Sequence, residues 1–322
     1  MKNKNSEAII ILCSQLCIGE NIKPFTTSEW SKFAVNIMKK KLTPSDIINM
    51  NLGELKKIFP LEEAERINNL IGRSGSIVFE IGKLKERGID IVTRADKEYP
   101  KILKNKLGKN CPPLFYYIGD LNLCNKKAVG IVGSRKIEEK EEKFTEKLVE
   151  KLINKDYIIV SGGAKGVDSI SVEKTLELGG SAIEYISDSM ISKIKKREII
   201  EAIRNGKLLI LSLARPDIKF TVQMAMARNK YIYLQSIGTV VIKSDFNKGG
   251  TWSGATTALK SGYCPVFCRK DVDIKGNEEL IKKGAIPIDE NWDCSIKDIK
   301  VEIKNKKEEK LKESKVQLGL FN

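Results

Sequence analysis

Two glycine-rich segments hold the residues most able to do chemistry in this chain. One reads Gly133-Ser134-Arg135-Lys136 and follows the apolar stretch 128–132. The other reads Ser161-Gly162-Gly163-Ala164-Lys165-Gly166 and follows 157–160. Between them Phe144, Leu148 and Leu152 recur at helical spacing, so each loop stands after a strand and before a helix. Glycine lets the backbone approach a ligand, and a helix amino end aims N–H groups at an anion. The expected chemistry is phosphate binding. Covalent catalysis through a Ser-His-Asp or Cys-His system is excluded, because the chain has no histidine.

The elements that must position these loops follow from the pattern around them. Strands are expected at 181–186, 207–213, 238–243 and 264–267, with helices at 190–205, 219–235, 252–262 and 277–283. Pro112 and Pro113 cannot donate to a central ladder, so the entry segment 89–120 belongs at an edge or a connector. The fold class is α/β: a Rossmann-like, doubly wound, mostly parallel sheet with a small all-helical portion before it and a flexible tail after it. In such a sheet, ligands sit beyond the carboxyl ends of the strands where strand order reverses. Four loops are expected to converge there: 133–136, 161–168, 228–230 and 244–254. Arg135, Lys136, Lys165, Arg228, Lys230 and Lys248 would neutralise successive phosphates. Backbone N–H groups at Gly162, Gly163 and Gly250 and hydroxyls of Ser134, Ser161, Thr251 and Ser253 would donate. Gly133, Ala164, Gly166, Asn229 and Gly249 complete the expected lining. Nothing in the set reads base edges, so binding should tolerate sequence and weaken steeply with salt.

Each feature also has a plainer reading. Gly162 and Gly163 serve equally to pack helix on sheet, and Asp168 serves to cap the helix that follows. Phe220 and Trp252 stack on bases or belong to the core. Arg228 and Lys230 bind or are merely solvated.

Bulk composition bounds the rest. The 322 residues carry 57 Lys+Arg against 42 Asp+Glu, a net charge of +15. A polyanion suits that balance, as does a proteome that is lysine-rich throughout. Seven cysteines without a CxxC pair suggest buried thiols, with no metal, no cofactor and no disulfide framework. No signal peptide or membrane span is recognised, so a cytoplasmic protein is expected. Three regions are drawn: 1–88, helical and SAM or helix-hairpin-helix-like; 89–290, the sheet domain; and 291–322. The first reads as a nucleic-acid module or a plain helical cap, with Ile71-Gly72-Arg73-Ser74-Gly75-Ser76 as a turn between two helices. In the last, eight lysines and five acids fall within 297–315.

The segments GSRK, VSGGAKGVDS, MARNK, NKGGTWSGATTALKSG and GNEELIKKGA occur in an order that resembles the DprA/Smf family of DNA-processing proteins, over roughly residues 89–288. The lead-in, with Asp96, Tyr99-Pro100 and Pro112-Pro113-Leu114-Phe115, is similar too. The resemblance implies a homodimer that binds single-stranded DNA, protects it and helps load the RecA recombinase, notably in natural transformation. It also implies no enzymatic activity. The pattern departs from the family at Val172, where a histidine is usual, and at Ser187-Asp188-Ser189-Met190, where glycines are usual. No winged-helix domain is expected after the sheet. Gln317-Leu318-Gly319-Leu320-Phe321 resembles the peptide by which bacterial proteins dock on the replicative sliding clamp. Gln317 would hydrogen-bond while Leu318, Leu320 and Phe321 fill an apolar pocket; the same residues could instead fold back on their own domain. A competing function is a nucleotide-binding or nucleotide-sensing Rossmann-like protein, against which stands the absence of an acid in the helix after Gly250. A clamp-recruited scaffold without strand binding is a third class.

Overall fold

The computed structural model describes residues 3–17 and 23–296; the tail peptide Gln317–Phe321 lies outside them. Six helices come first: α1 Lys4–Cys13, α2 Thr27–Lys39, α3 Pro44–Ile47, α4 Leu52–Lys56, α5 Leu61–Gly72 and α6 Ser74–Glu86. Their starts are written locally. Thr26 with Glu29, and Asn51 with Glu54, exchange side-chain and backbone hydrogen bonds as capping boxes. The turn expected at 71–76 shrinks to one residue, Arg73, between α5 and α6. Its buried guanidinium donates to the carbonyls of Ile11, Ser14 and Leu16 at 2.6, 2.9 and 2.6 Å, which α1 leaves without intrahelical partners. The only cation of that turn therefore points inward.

Nine strands follow, β1 Asp90–Thr93, β2 Leu114–Ile118, β3 Ala128–Val132, β4 Ile158–Ser161, β5 Ala182–Ile186, β6 Leu208–Ser212, β7 Gly238–Val241, β8 Val266–Arg269 and β9 Ile286–Ile288. Helices α7 Lys101–Leu107, α8 Glu139–Ile153, α9 Val167–Glu177, α10 Met190–Lys193, α11 Arg197–Arg204, α12 Val222–Gln235, α13 Gly249–Ser261 and α14 Lys275–Lys282 connect them. The sheet order is β1-β2-β6-β5-β4-β3-β7-β8-β9. From β6 to β9 all neighbours are parallel, while β1 and β2 add an antiparallel end. Strands β3 to β7 are buried along their whole length, as a sheet covered on both faces requires. The chain steps outward from β3 through β4 and β5 to β6, then crosses back along α12 to β7 on the other flank of β3. The loops after β3 and β7 thus bracket the switch point.

The expected sheet is found, with local differences. Region 190–205 is two helices, Met190–Lys193 and Arg197–Arg204, and Lys193 at the break pairs with the buried Glu184 (2.9 Å). Thr221 caps α12 by accepting from Met224 N–H, so the helix begins later than the spacing predicted. β8 starts at Val266, after Pro265, whose carbonyl accepts from Thr239 N–H. Pro113 leads into β2 and accepts from Arg94 N–H.

The N-terminal helices share a core with one face of the antiparallel end. Leu12, Phe33 and Ile67 pack in the same cluster as Ile91, Tyr116, Ile118 and Ile210. No described residue of these helices lines the cavity at the carboxyl ends of β3 and β7. Among the described residues no helix is long and apolar enough to cross a membrane.

Candidate nucleic-acid interface

A cavity of about 380 Å³ opens at those carboxyl ends. Gly133, Ser134, Arg135 and Lys136 form one wall, Ala164 and Asp168 a second, Phe220, Val222 and the α12 stripe with Ala225, Arg228, Asn229 and Ile232 a third, and Asp245, Lys248, Gly249, Gly250 and Thr251 the last. Four cations, Arg135, Lys136, Arg228 and Lys248, face two carboxylates, Asp168 and Asp245. Ser161, Gly162, Gly163, Lys165, Gly166, Lys230 and Ser253 were expected in the lining and do not line it.

The two glycine loops brace each other. Ser134 N–H donates to Lys243 O at 2.9 Å, and Ser134 Oγ accepts from Lys136 N–H at 3.1 Å. That turn leaves Arg135 and Lys136 exposed. A Cβ on Gly133 would meet the Val167 side chain at 2.4 Å, and one on Gly166 would meet Ser134 O at 2.5 Å. These glycines allow loop to meet loop. Ser161 Oγ donates to Ile131 O at 2.8 Å, so its hydrogen is used within the sheet. Lys165 is exposed outside the cavity.

One expectation is corrected. The helix after the first loop offers no amino end to a ligand. α8 begins at Glu139 behind a Glu138–Glu141 capping box, with Glu139, Glu141 and Glu142 in its first turn, so its positive dipole end already faces carboxylates. Glu141 is buried and is held by Lys243 and Arg269, each at 3.2 Å. Burial pushes its carboxyl up, but Glu138 N–H and these two cations outweigh that and keep it below the usual range.

The amino end of α13 is open instead. Lys248 stands at the cap position, and no side chain caps the helix. Its first N–H groups are therefore free to face an anion. Gly249 takes φ +75° there, a conformation natural only to glycine. Gly250 O accepts from Asn229 Nδ2 at 3.1 Å, and Thr251 Oγ1 donates to Gly133 O at 2.9 Å. Thr251 thus ties the fourth loop to the first and has no hydrogen left for a phosphate.

Arg228 forms the floor. It is 7% exposed, and among the described residues its Nε and Nη1 have no hydrogen-bond partner. A Cβ at position 162 would sit 1.6 Å from Nη1 and 2.5 Å from Asp168 Oδ2, so Gly162 exists to let these two groups converge. Burial raises the Asp168 carboxyl to about 6, against the pull of Arg228. The Tyr233 hydroxyl in the same lining is also unpartnered. Buried donors without acceptors are rare and call for a ligand or water. Lys230 emerges on the opposite side of α12, its ammonium 5.0 Å over the Tyr231 ring.

Of the two readings of Phe220, stacking on bases or core, the core one fails. It is 43% exposed at the rim, with the Arg135 guanidinium 5.0 Å from its ring centre. A signal existed. Phe220 precedes the cap residue Thr221, where an apolar side chain normally packs on the fourth helical position. That position is Ala225, too small to bury a phenyl ring. Trp252 is core, edge-on to Phe246 at 5.1 Å.

Fold and cavity together define a Rossmann-like protein with a cavity lined by four cations at its switch point. The profile of DNA recombination-mediator protein A matches residues 90–300, and the chain belongs to that family. It is 27% identical over 281 residues to the DNA processing protein DprA of Bacillus subtilis, covering 85% of this chain and 90% of that one. Against the DprA of Streptococcus pneumoniae it is 31% identical over 145 residues, 44% of this chain and 50% of that one. The crystal structure of the S. pneumoniae protein superposes with a TM-score of 0.67 at 23% identity, over 94% of this chain and 99% of the other, which supports the fold. DNA processing protein A of Helicobacter pylori, whose single-stranded DNA binding mode has been studied structurally, gives a TM-score of 0.50 at 27% identity, over 67% and 96%. The resemblance read from the ordered motifs is thereby established, and DNA processing is the functional class.

Proposed function

We propose that this chain binds single-stranded DNA without sequence preference and without catalysis, gripping the sugar–phosphate chain in the switch-point cavity. The observation that carries this reading is Arg228, a buried guanidinium on the floor of a basic pocket whose Nε and Nη1 have no partner among the described residues. Arg135, Lys136, Lys248 and the open end of α13 add contacts to phosphates. The H. pylori relative supports the choice of ligand. Protection of strands as a homodimer and delivery to RecA in the cytoplasm follow from the family resemblance as parts of the same proposal. Lys165, Lys230 and Ser253 are outer residues in it.

Fluorescence anisotropy with labelled oligothymidine tests it. Tight binding at low salt is expected. Arg135→Glu, on an exposed side chain, should weaken it at least tenfold and flatten the salt dependence. Wild-type protein that ignores the oligonucleotide but binds AMP overturns the reading in favour of a nucleotide sensor, for which the cavity is also large enough.

Clamp docking through Gln317, Leu318, Leu320 and Phe321 is a separate proposal. Deleting residues 317–322 should abolish co-elution with the sliding clamp on a sizing column and leave strand affinity unchanged. Equal co-elution with and without them ends the idea.

A further inference from the structure

A second basic surface lies on the far side of α12 from the cavity. Between Glu98 and Asp120 the sequence has no carboxylate but has Lys101, Lys104, Lys106 and Lys109. Lys101 and Lys104 are one turn apart on the exposed side of α7, whose Leu103 is buried. Arg94 holds the turn that follows, donating to the carbonyls of Gly108, Lys109 and Cys111 at 3.2, 3.1 and 3.4 Å. Lys104 Nζ donates to Arg94 O at 3.2 Å. Lys230 comes in from α12. Arg94, Lys104 and Lys230 all pull the Cys111 thiol down against its burial. Among the described residues, none of Arg94, Lys101, Lys104, Lys109 and Lys230 makes an ion pair. Several other cations among the described residues are matched by carboxylates. Arg66 has Glu29, Lys193 has Glu184, and Arg269 has Glu141 and Asp271. Here Arg94 and Lys104 bond only neutral carbonyls, and an anion would offset the repulsion among the gathered cations.

We propose that this surface, built from Arg94, Lys101, Lys104, Lys109 and Lys230, takes the sugar–phosphate backbone of the same DNA strand where it continues past the cavity. The proposal rests on the reading that the cavity grips single-stranded DNA. Residue 230 is two positions beyond Arg228, which puts the two about 200° apart around α12, so the helix is the shared wall between cavity and surface. A strand held at Arg228 needs to pass only one helix width, about 10 Å, to reach Lys230. Charge complementarity selects the occupant: several exposed amines and one guanidinium with no apolar groove suit a flexible polyanion.

The test compares a labelled hexathymidine with an oligothymidine several times longer, on wild-type protein and on the triple variant Lys101→Gln, Lys104→Gln, Lys109→Gln. All three side chains are exposed, and circular dichroism checks the fold. The variant should bind hexathymidine as wild type does. It should lose about tenfold on the long strand, with the slope of log affinity against log salt shallower by about 2, the value for three single-strand phosphate contacts. Unchanged affinity and slope on the long strand would overturn the proposal, as would equal losses on both lengths. Wild-type protein that binds neither oligonucleotide instead defeats the cavity reading itself.

Discussion

Gly166→Ala is expected to lower oligothymidine affinity about a hundredfold and to destabilise the fold by about 3 kcal/mol. Gly166 has φ +81° and ψ −132°, a region that side chains hardly enter. The added methyl would also lie 2.5 Å from Ser134 O and 2.9 Å from Arg135 C and Cα. All three are backbone atoms, so no rotamer change relieves the clash and the first loop must move. That loop carries Arg135 and Lys136 and is pinned by Thr251 Oγ1 on Gly133 O, so the displacement spreads into the fourth loop as well. Gly179→Ala is the control. It has φ +70° but open space around its Cβ position, and it ends α9 away from the cavity. It should cost only the backbone strain, about 1 kcal/mol, and leave binding intact. Urea melts and anisotropy on both variants give the answer. A Gly166→Ala protein that binds like wild type would mean the loop contact positions nothing.

The sheet was legible because its signals are local. Apolar runs closed by glycine, followed by amphipathic spacing, mark β3 with α8 and β4 with α9 wherever they occur. The ends moved where a single residue had a stronger local rule, as at Thr221 and Pro265. The site was less legible, because its decisive contacts join distant segments. Glycines 133, 162 and 166 read as places for a ligand, yet Val167, Arg228 and Ser134 occupy the space that their missing Cβ atoms leave. The run Met226-Ala227-Arg228-Asn229-Lys230 reads as one basic cluster. A helix turns its members to different sides: Ala225, Arg228 and Ile232 share one stripe and line the cavity, and Lys230 does not. That stripe was readable from spacing alone, because two small or apolar neighbours three and four residues away turn an arginine inward. No such signal announces that α8 satisfies its own amino end, since acids near a helix start stabilise it with or without a ligand.

Strand affinity is expected to fall as the pH rises above about 6, by up to tenfold per unit, and Asp168→Asn should flatten the profile. The Asp168 carboxyl is raised to about 6, first by burial and further by Glu184, while Arg228 and Ala164 N–H oppose the rise. A phosphate seated on Arg228 would bring a second negative charge toward it and lift the carboxyl higher still. The complex then holds more protons than the free protein just above pH 6, so raising the pH there favours dissociation. Beyond the pKa of the complex the curve levels. Folding carries the same sign. A raised carboxyl is a stability loss incurred as pH climbs from about 4 to about 6, and at pH 7 it stands at about 3 kcal/mol. Asp168→Asn removes that loss but leaves Arg228 buried without its counter-charge, so the two effects oppose each other in the melting temperature. The slope of affinity with pH is the cleaner measurement. This chain suits it, because with no histidine no side chain of ordinary pKa titrates between pH 5 and 8. A wild-type profile flat from pH 5.5 to 8, or an Asp168→Asn protein that keeps the slope, would remove Asp168 from the binding linkage.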